Sequence, residues 1–347
     1  MPICYYTCNL VPLDLVAKSG YTPVWLGNHL RSAAAASRRD ILSVHPMTCP
    51  YVTKLVAAAD DLFAAVATQQ AADVARSDCL VVPAGCDAMR RLGDLLAANY
   101  PERVFVLSMP RSSGPGPEAT LAAGLRQLDE WLASRLAGGA AAGSAAPSEA
   151  QPPSVDYPAQ PRHGGVFLVT GPLSDASLLR LIDQLGAHVS GLESCTSPDR
   201  WRPLAPTSPG AGPPAPSGDE YYHALATHLL DVGMCPRRST TERHDHLARR
   251  IDQMRPASII YARQSFCDPG AYDSLLVAQL AKEHGLPFLE IEVDFPFDAN
   301  GPLRTRVEAF LEAQLLDDDL LGDLLDDDDL FGADADAVGV DLSDGEV

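Results

Sequence analysis

No Cys-x-x-Cys pair occurs anywhere in this 347-residue chain, although it holds eight cysteines. That absence removes the zinc ribbon, the thioredoxin-type redox pair and the ferredoxin run, all of which need closely spaced thiols. Eight cysteines in this length do not make a disulfide scaffold, and Met1-Pro2-Ile3-Cys4 runs straight into fold-like sequence rather than a secretory signal. Reduced thiols and a cytoplasmic location are therefore expected. No apolar run is long enough to span a bilayer, so no membrane role is expected. Gly-x-Gly-x-x-Gly does not follow the first strand-like run of either half, and Gly-x-x-x-x-Gly-Lys-Ser/Thr and Gly-x-Ser-x-Gly are missing. These gaps speak against a dinucleotide site, a nucleotide-binding P-loop and a nucleophile-elbow hydrolase.

Charge of one sign is also scarce where it matters. The formal net charge is −20, but residues 317–347 carry 13 of the 46 acids and neither Lys nor Arg, which leaves 33 acids against 26 bases elsewhere. Nucleic-acid binding is disfavoured on either count. The segment 317–347, with Asp326-Asp327-Asp328-Asp329, is expected to be a disordered acidic tail whose interleaved leucines would order only on a partner.

What remains is a regular alternation. Hydrophobic residues make up 46% of the chain, enough for two cores. Residues 1–110 read as an N-terminal α/β domain: a helix at Leu13–Lys18, strand-like Pro23–Leu26 and Ile41–Val44, a helix from Val52 to about Ala75, the strand Leu80–Ala84, a helix Ala88–Ala98 and the strand Val104–Leu107. Residues 111–164 read as a low-complexity linker with a helix-like stretch around Glu118–Leu136, then Ala137-Gly138-Gly139 and Pro152-Pro153. Residues 165–316 form a second α/β domain opening on Gly165–Gly171, with a Pro-rich insertion at 203–218 and helices at Ser177–Leu185, Tyr221–Val232, Thr241–Met254 and Tyr272–Glu283. The rhythm predicts two Rossmann-like parallel-sheet αβα domains facing a central cleft.

Three cysteine segments sit where such a fold places reactive loops: Thr48-Cys49-Pro50-Tyr51, Gly85-Cys86-Asp87 and Phe266-Cys267-Asp268-Pro269. Cys86 and Cys267 fall just past strand-like runs, where ligands of parallel sheets bind. Three convergent thiolates suit a soft metal centre and leave a position open, whereas a cysteine taken alone packs as a small hydrophobe. Cys4 and Cys79 are read as packing residues. His45, four residues before Cys49, is left without a role.

The segment Tyr6-Thr7-Cys8-Asn9-Leu10-Val11-Pro12-Leu13-Asp14 through Pro23-Val24 resembles the opening of the 2-hydroxyacyl-CoA dehydratase and benzoyl-CoA reductase family, which includes the double-cubane-cluster reductases. Cys49-Pro50-Tyr51, Val82–Asp87, Gly186–Val189 running to Glu193-Ser194-Cys195, Phe266–Pro269 and Leu303–Glu312 resemble the family in order and spacing. The resemblance implies an oxygen-sensitive protein whose cleft holds a [4Fe–4S] cluster on Cys49, Cys86 and Cys267, with one coordination site not supplied by protein. It implies a lyase that dehydrates a 2-hydroxyacyl-CoA through a ketyl radical, fed one electron by an ATP-dependent iron–sulfur activator, within a homo- or heterodimer of related subunits. The alternatives it leaves are a homodimeric double-cubane reductase of small molecules and a non-catalytic, cluster-holding partner subunit. Pro12-Leu13-Asp14 stands where relatives often show Pro-x-Glu, and the long linker, the proline-rich insertion after Cys195 and the acidic tail are not family hallmarks, whereas Cys8, Cys195 and Cys235 are similar to extra cysteines of some relatives, which leaves a larger cluster or plain packing as their role.

Overall fold

The computed structural model describes residues 2–29, 48–67, 78–137, 164–173, 175–195, 218–232, 235–298 and 300–326. The strand expected at Ile41–Val44, His45, the stretch 138–163, the Pro-rich insertion up to residue 217 and the acidic segment after residue 326 lie outside them.

The first half contains β1 (Ile3–Tyr6), α1 (Leu13–Lys18), β2 (Thr22–Trp25), α2 (Pro50–Ala67), β3 (Cys79–Ala84), α3 (Asp87–Asn99), β4 (Val104–Ser108) and α4 (Pro115–Ala137). The second contains β5 (Val166–Thr170), α5 (Ser177–Gln184), β6 (Val189–Ser194), α6 (Asp219–Val232), α7 (Thr240–Met254), β7 (Ser258–Gln264), α8 (Asp268–Glu283), β8 (Phe288–Val293) and α9 (Gly301–Asp326). Two four-stranded, all-parallel sheets result, in the orders β2-β1-β3-β4 and β6-β5-β7-β8. Parallel sheets are covered on both faces, which is why β3, β5 and β6 are buried from end to end. In β5 the period of two divides the interior: Val166 and Leu168 enter one core with α5 and α9, Phe167 and Val169 another with α7 and α8.

Helix faces follow the same logic. Met89, Leu92, Gly93 and Leu96 of α3 recur at helical spacing and are buried. Gly93 is required there because a Cβ would stand 2.9 Å from Val106 Cγ2, so α3 lies close on β4. Within 111–164, α4 is a packed helix: Leu121, Leu125, Leu128 and Leu132 are buried in the first core. The same core takes in Leu225, Ala226, Leu229 and Leu230 of α6, which follows the second half's β6 in sequence. α4 and α6 pack side by side, and Tyr222 donates to Asp129 across them at 2.6 Å. α9 continues to Asp326, so ten residues of the acidic segment from Asp317 are helical. Among the described residues no helix is long and apolar enough to cross a membrane.

Candidate functional site

The three cysteines singled out by spacing come to one place. Cys49, Cys86 and Cys267 line a single cavity of about 570 Å³, whose wall combines Gly85 to Ala88, Arg111, Pro236 to Arg238, Arg243, and Phe266 to Pro269. The cavity therefore draws on loops past the carboxyl ends of both sheets, the position parallel topology favours for ligands. A second hollow of about 390 Å³ shares Cys49, Asp87, Ala88, Phe266 and Asp268 and adds an apolar wall of Val52, Val56, Leu92 and Leu95.

Each of the three cysteines stands immediately before a helix. α2 begins at Pro50, α3 at Asp87 and α8 at Asp268, so the helices start one to four residues earlier than apolar periodicity places them. The signals for these starts were in the sequence: Pro50 and Pro269 in first-turn positions, and Asp87 and Asp268 complementing the positive helix ends. Cys86 and Cys267 have the extended backbone of an N-cap. Neither makes a side-chain cap hydrogen bond, but backbone N–H groups of the first helical turn, Tyr51 and Val52 at Cys49, Ala88 and Met89 at Cys86 and Gly270 at Cys267, act to lower the thiol pKa values. Gly270 makes this approach possible, since a Cβ there would lie 3.2 Å from Cys267 Sγ. Three helix N-termini thus aim unsatisfied N–H groups and positive dipole ends at three thiols, an arrangement that favours the anionic sulfur.

Burial opposes that tendency in the protonated protein. It pushes Cys49 and Cys86 upward, and with the charge of Cys49 it pushes Cys267 up to about 12; the backbone N–H groups of the first helical turns pull the other way in all three. The thiols also act on one another: Cys49 and Cys86 both raise Cys267, and Cys49 raises Cys86. Cys8 is pushed up to about 12, first by burial, with Cys235 and Cys86 as charged neighbours, so those two extra cysteines lie on the Cys86 side of the cavity. Among the described residues no three His, Cys, Asp or Glu side chains are grouped to hold a single metal ion.

Other residues singled out from the sequence lie apart from the site: Cys4 and Cys79 are fully buried partners across β1 and β3 in the first core, as packing predicts. Asp14 is exposed on α1 and is not part of the cavity wall. The structure adds residues that spacing passes over. Phe266 has φ of 54° and is 48% exposed at the rim, a conformation rare for a bulky side chain and concentrated at functional loops. Arg237 and Arg238, in the turn before α7, are almost fully buried against the cavity. The Cys235-Pro236-Arg237-Arg238 run was the available signal.

Residues 153–313 match the family model for 2-hydroxyglutaryl-CoA dehydratase, D-component. Over that stretch, just under half of its length, the chain is similar to the dehydratase D-component. It is also 28% identical over 150 residues to a protein of Escherichia coli (strain K12) named "Putative dehydratase subunit YjiM", an alignment that covers 42% of this chain and 37% of that protein. The matched region includes Cys195, Cys235 and Cys267, whereas Cys49 and Cys86 precede it.

Proposed function

We propose that the chain is the iron–sulfur subunit of a 2-hydroxyacyl-CoA dehydratase-type system, with a [4Fe–4S] cluster held by Cys49, Cys86 and Cys267. The observation that carries this reading is the convergence of three helix-capping cysteines on one cavity wall. The residues fit the group. A cubane takes one thiolate per iron, so its ligands stand farther apart than those of a single ion, in keeping with thiols that share a cavity without forming a one-metal cage. The N–H groups at each sulfur and the space left by Gly270 suit anionic, metal-bound thiolates. When bound, such a cluster supplies one electron at low potential and an open iron position able to act as a Lewis acid.

The chain's own residues do the rest. The helix ends hold the sulfurs, and Phe266, Pro269, Tyr272 and Leu276 line the cavity beside them. The apolar hollow beside Cys49 offers Val52, Val56, Leu92 and Leu95 to an acyl chain. No nucleotide-binding loop is present in the sequence, so ATP hydrolysis falls to a separate activator, and a related subunit, in a homo- or heterodimer, completes the assembly. Cytoplasmic, anaerobic conditions belong to the same reading.

The test is anaerobic reconstitution with iron and sulfide, followed by assay with activator, reductant and ATP against a panel of 2-hydroxyacyl-CoA esters. Serine at Cys49, Cys86 or Cys267 should strip or destabilise the cluster. Full iron, sulfide and visible absorbance in all three variants would sink the ligand assignment. A second reading, a homodimeric double-cubane reductase of small molecules, draws support from Cys8 and Cys235 beside Cys86. Acetylene and hydrazine in the same assay separate the two, and failure on every substrate with an intact cluster leaves a cluster-holding partner subunit.

A further inference from the structure

Three arginines reach the cavity from α7 and the turn before it, and two have carboxylate partners. Arg243 is held by Glu193 at 2.9 Å and by Asp273 at 2.9 Å, and Arg238 by Glu242 at 2.8 Å. Arg237 has no carboxylate partner among the described residues. Its Nη1 donates to the Pro110 carbonyl, while Nε and Nη2 are buried without an acceptor. Those two N–H groups run along one edge of the planar guanidinium, the fork that receives an anionic acceptor in bidentate fashion. A guanidinium 4% exposed with an empty fork is costly unless an anion completes it.

Where that anion belongs is indicated by the neighbours. Arg237 lies across Gly85, the residue before Cys86: a Cβ on Gly85 would stand 2.9 Å from Arg237 Cδ and 3.1 Å from its Nε. Its charge acts on Cys8, which Cys86 also influences. Leu10 Cδ1 stands 3.4 Å from the same Cβ position, so Arg237 and Leu10 together pack over Gly85 beside Cys86. Arg90 and Arg111, the remaining cationic members of the wall, are exposed.

We propose that Arg237 is the charge-compensating, positioning residue of the thiolate site, its Nε–Nη2 edge reserved for the anionic sulfur of the group bound through Cys86 and its two companion cysteines. This rests on the cluster reading above. A cubane core held by three thiolates is a net anion, and gaining an electron makes it more negative. A buried, otherwise uncompensated cation beside it therefore favours the reduced form and raises the potential.

The experiment compares the full chain with Arg237→Gln and Arg237→Lys after anaerobic reconstitution with ferrous iron and sulfide. Iron and sulfide per chain are counted, and the midpoint is found by a dithionite titration followed by electron paramagnetic resonance. At the wild-type midpoint the Gln variant should show a reduced-to-oxidised ratio about tenfold lower, ~59 mV for a one-electron couple. The Lys variant, which keeps the charge without the fork, should fall between. If Gln abolishes cluster retention and Lys restores it, the inference also stands. An unchanged midpoint and iron content in both variants overturns the role of Arg237 and leaves the cluster reading intact. A wild-type chain that takes up no cluster overturns both.

Discussion

The two sheets have one winding and two different interiors. In each, the third strand in sequence lies beside the first, runs into a short loop, and delivers a cysteine to the N-terminus of the next helix: Cys86 after β3, Cys267 after β7. Past the second strand the halves also correspond, for Cys49 precedes α2 and Cys195 directly follows β6. Beneath these loops they part. The first half is filled by one continuous apolar cluster. The second is split by its sheet and pinned by ions: Arg243, 1% exposed, is bound by Glu193 and Asp273, Tyr261 donates to Asp273 at 3.1 Å, and His246 approaches Glu193 at 3.2 Å. Burial alone would lower the Arg243 pKa, but the two carboxylates more than reverse that and hold it charged. Equivalent loops can thus be aimed by dry packing or by a buried ionic brace.

The sharpest way to break that contrast is Arg243→Met, which leaves Glu193 and Asp273 buried and unpaired. A loss of roughly 3–5 kcal/mol is expected, confined to the second half. Trp201→Phe supplies the background, since Trp25 and Trp131 then report on the first half alone. Denaturant curves should show helical circular dichroism falling before tryptophan fluorescence, and coincident curves would refute the confinement.

Leu225→Ala should do the reverse. Its side chain, 2% exposed, belongs to the first core although its helix lies beyond the linker in sequence. About 3 kcal/mol is expected from cavity formation, read by the tryptophans first.

Alkali offers a milder contrast. Burial, as the largest cause, pushes Tyr5, Tyr21, Tyr221 and Tyr222 up to about 12 from 10, and all four pack in or against the first core. Folding favours their protonated forms, so this contribution is whole below pH 10 and is lost as pH climbs toward 12. Tryptophan fluorescence should report unfolding of the first half at lower pH than the second, and the opposite order would count against the assignment of these four rings.

Gly270→Ala should barely move stability, within about 1 kcal/mol, since alanine suits a helix. Its Cβ nevertheless crowds Cys267 Sγ. Iron retention should fall while the melting temperature stays put, which separates holding the fold from holding the metal.

Much of this was legible in the residues, for physical reasons. Runs such as Leu80-Val81-Val82 and Ser258-Ile259-Ile260 are apolar without alternation because both faces are covered, so the strands, and with them the parallel sheets, could be read. The two cysteines past β3 and β7 inherited their positions from those strands. Helix starts were placed late because Pro50, Asp87 and Asp268 carry capping information rather than apolar periodicity. The allegiance of α6 to the first core was hidden, since an apolar helical face does not name the surface it will cover. Arg237 was hidden too: a basic residue reads as solvated until the fold shows what surrounds it.

The insertion of α6 into the first core also orders events during synthesis. Ribosomes release this chain from its N-terminus, and Leu121, Leu125, Leu128 and Leu132 leave the exit tunnel nearly a hundred residues before the helix that helps to cover them. The N-terminal half must wait, incomplete, until residues beyond 232 emerge. By then Cys49 and Cys86 have long been exposed, while Cys267 is still to come. A nascent chain therefore presents two thiols before it can present three.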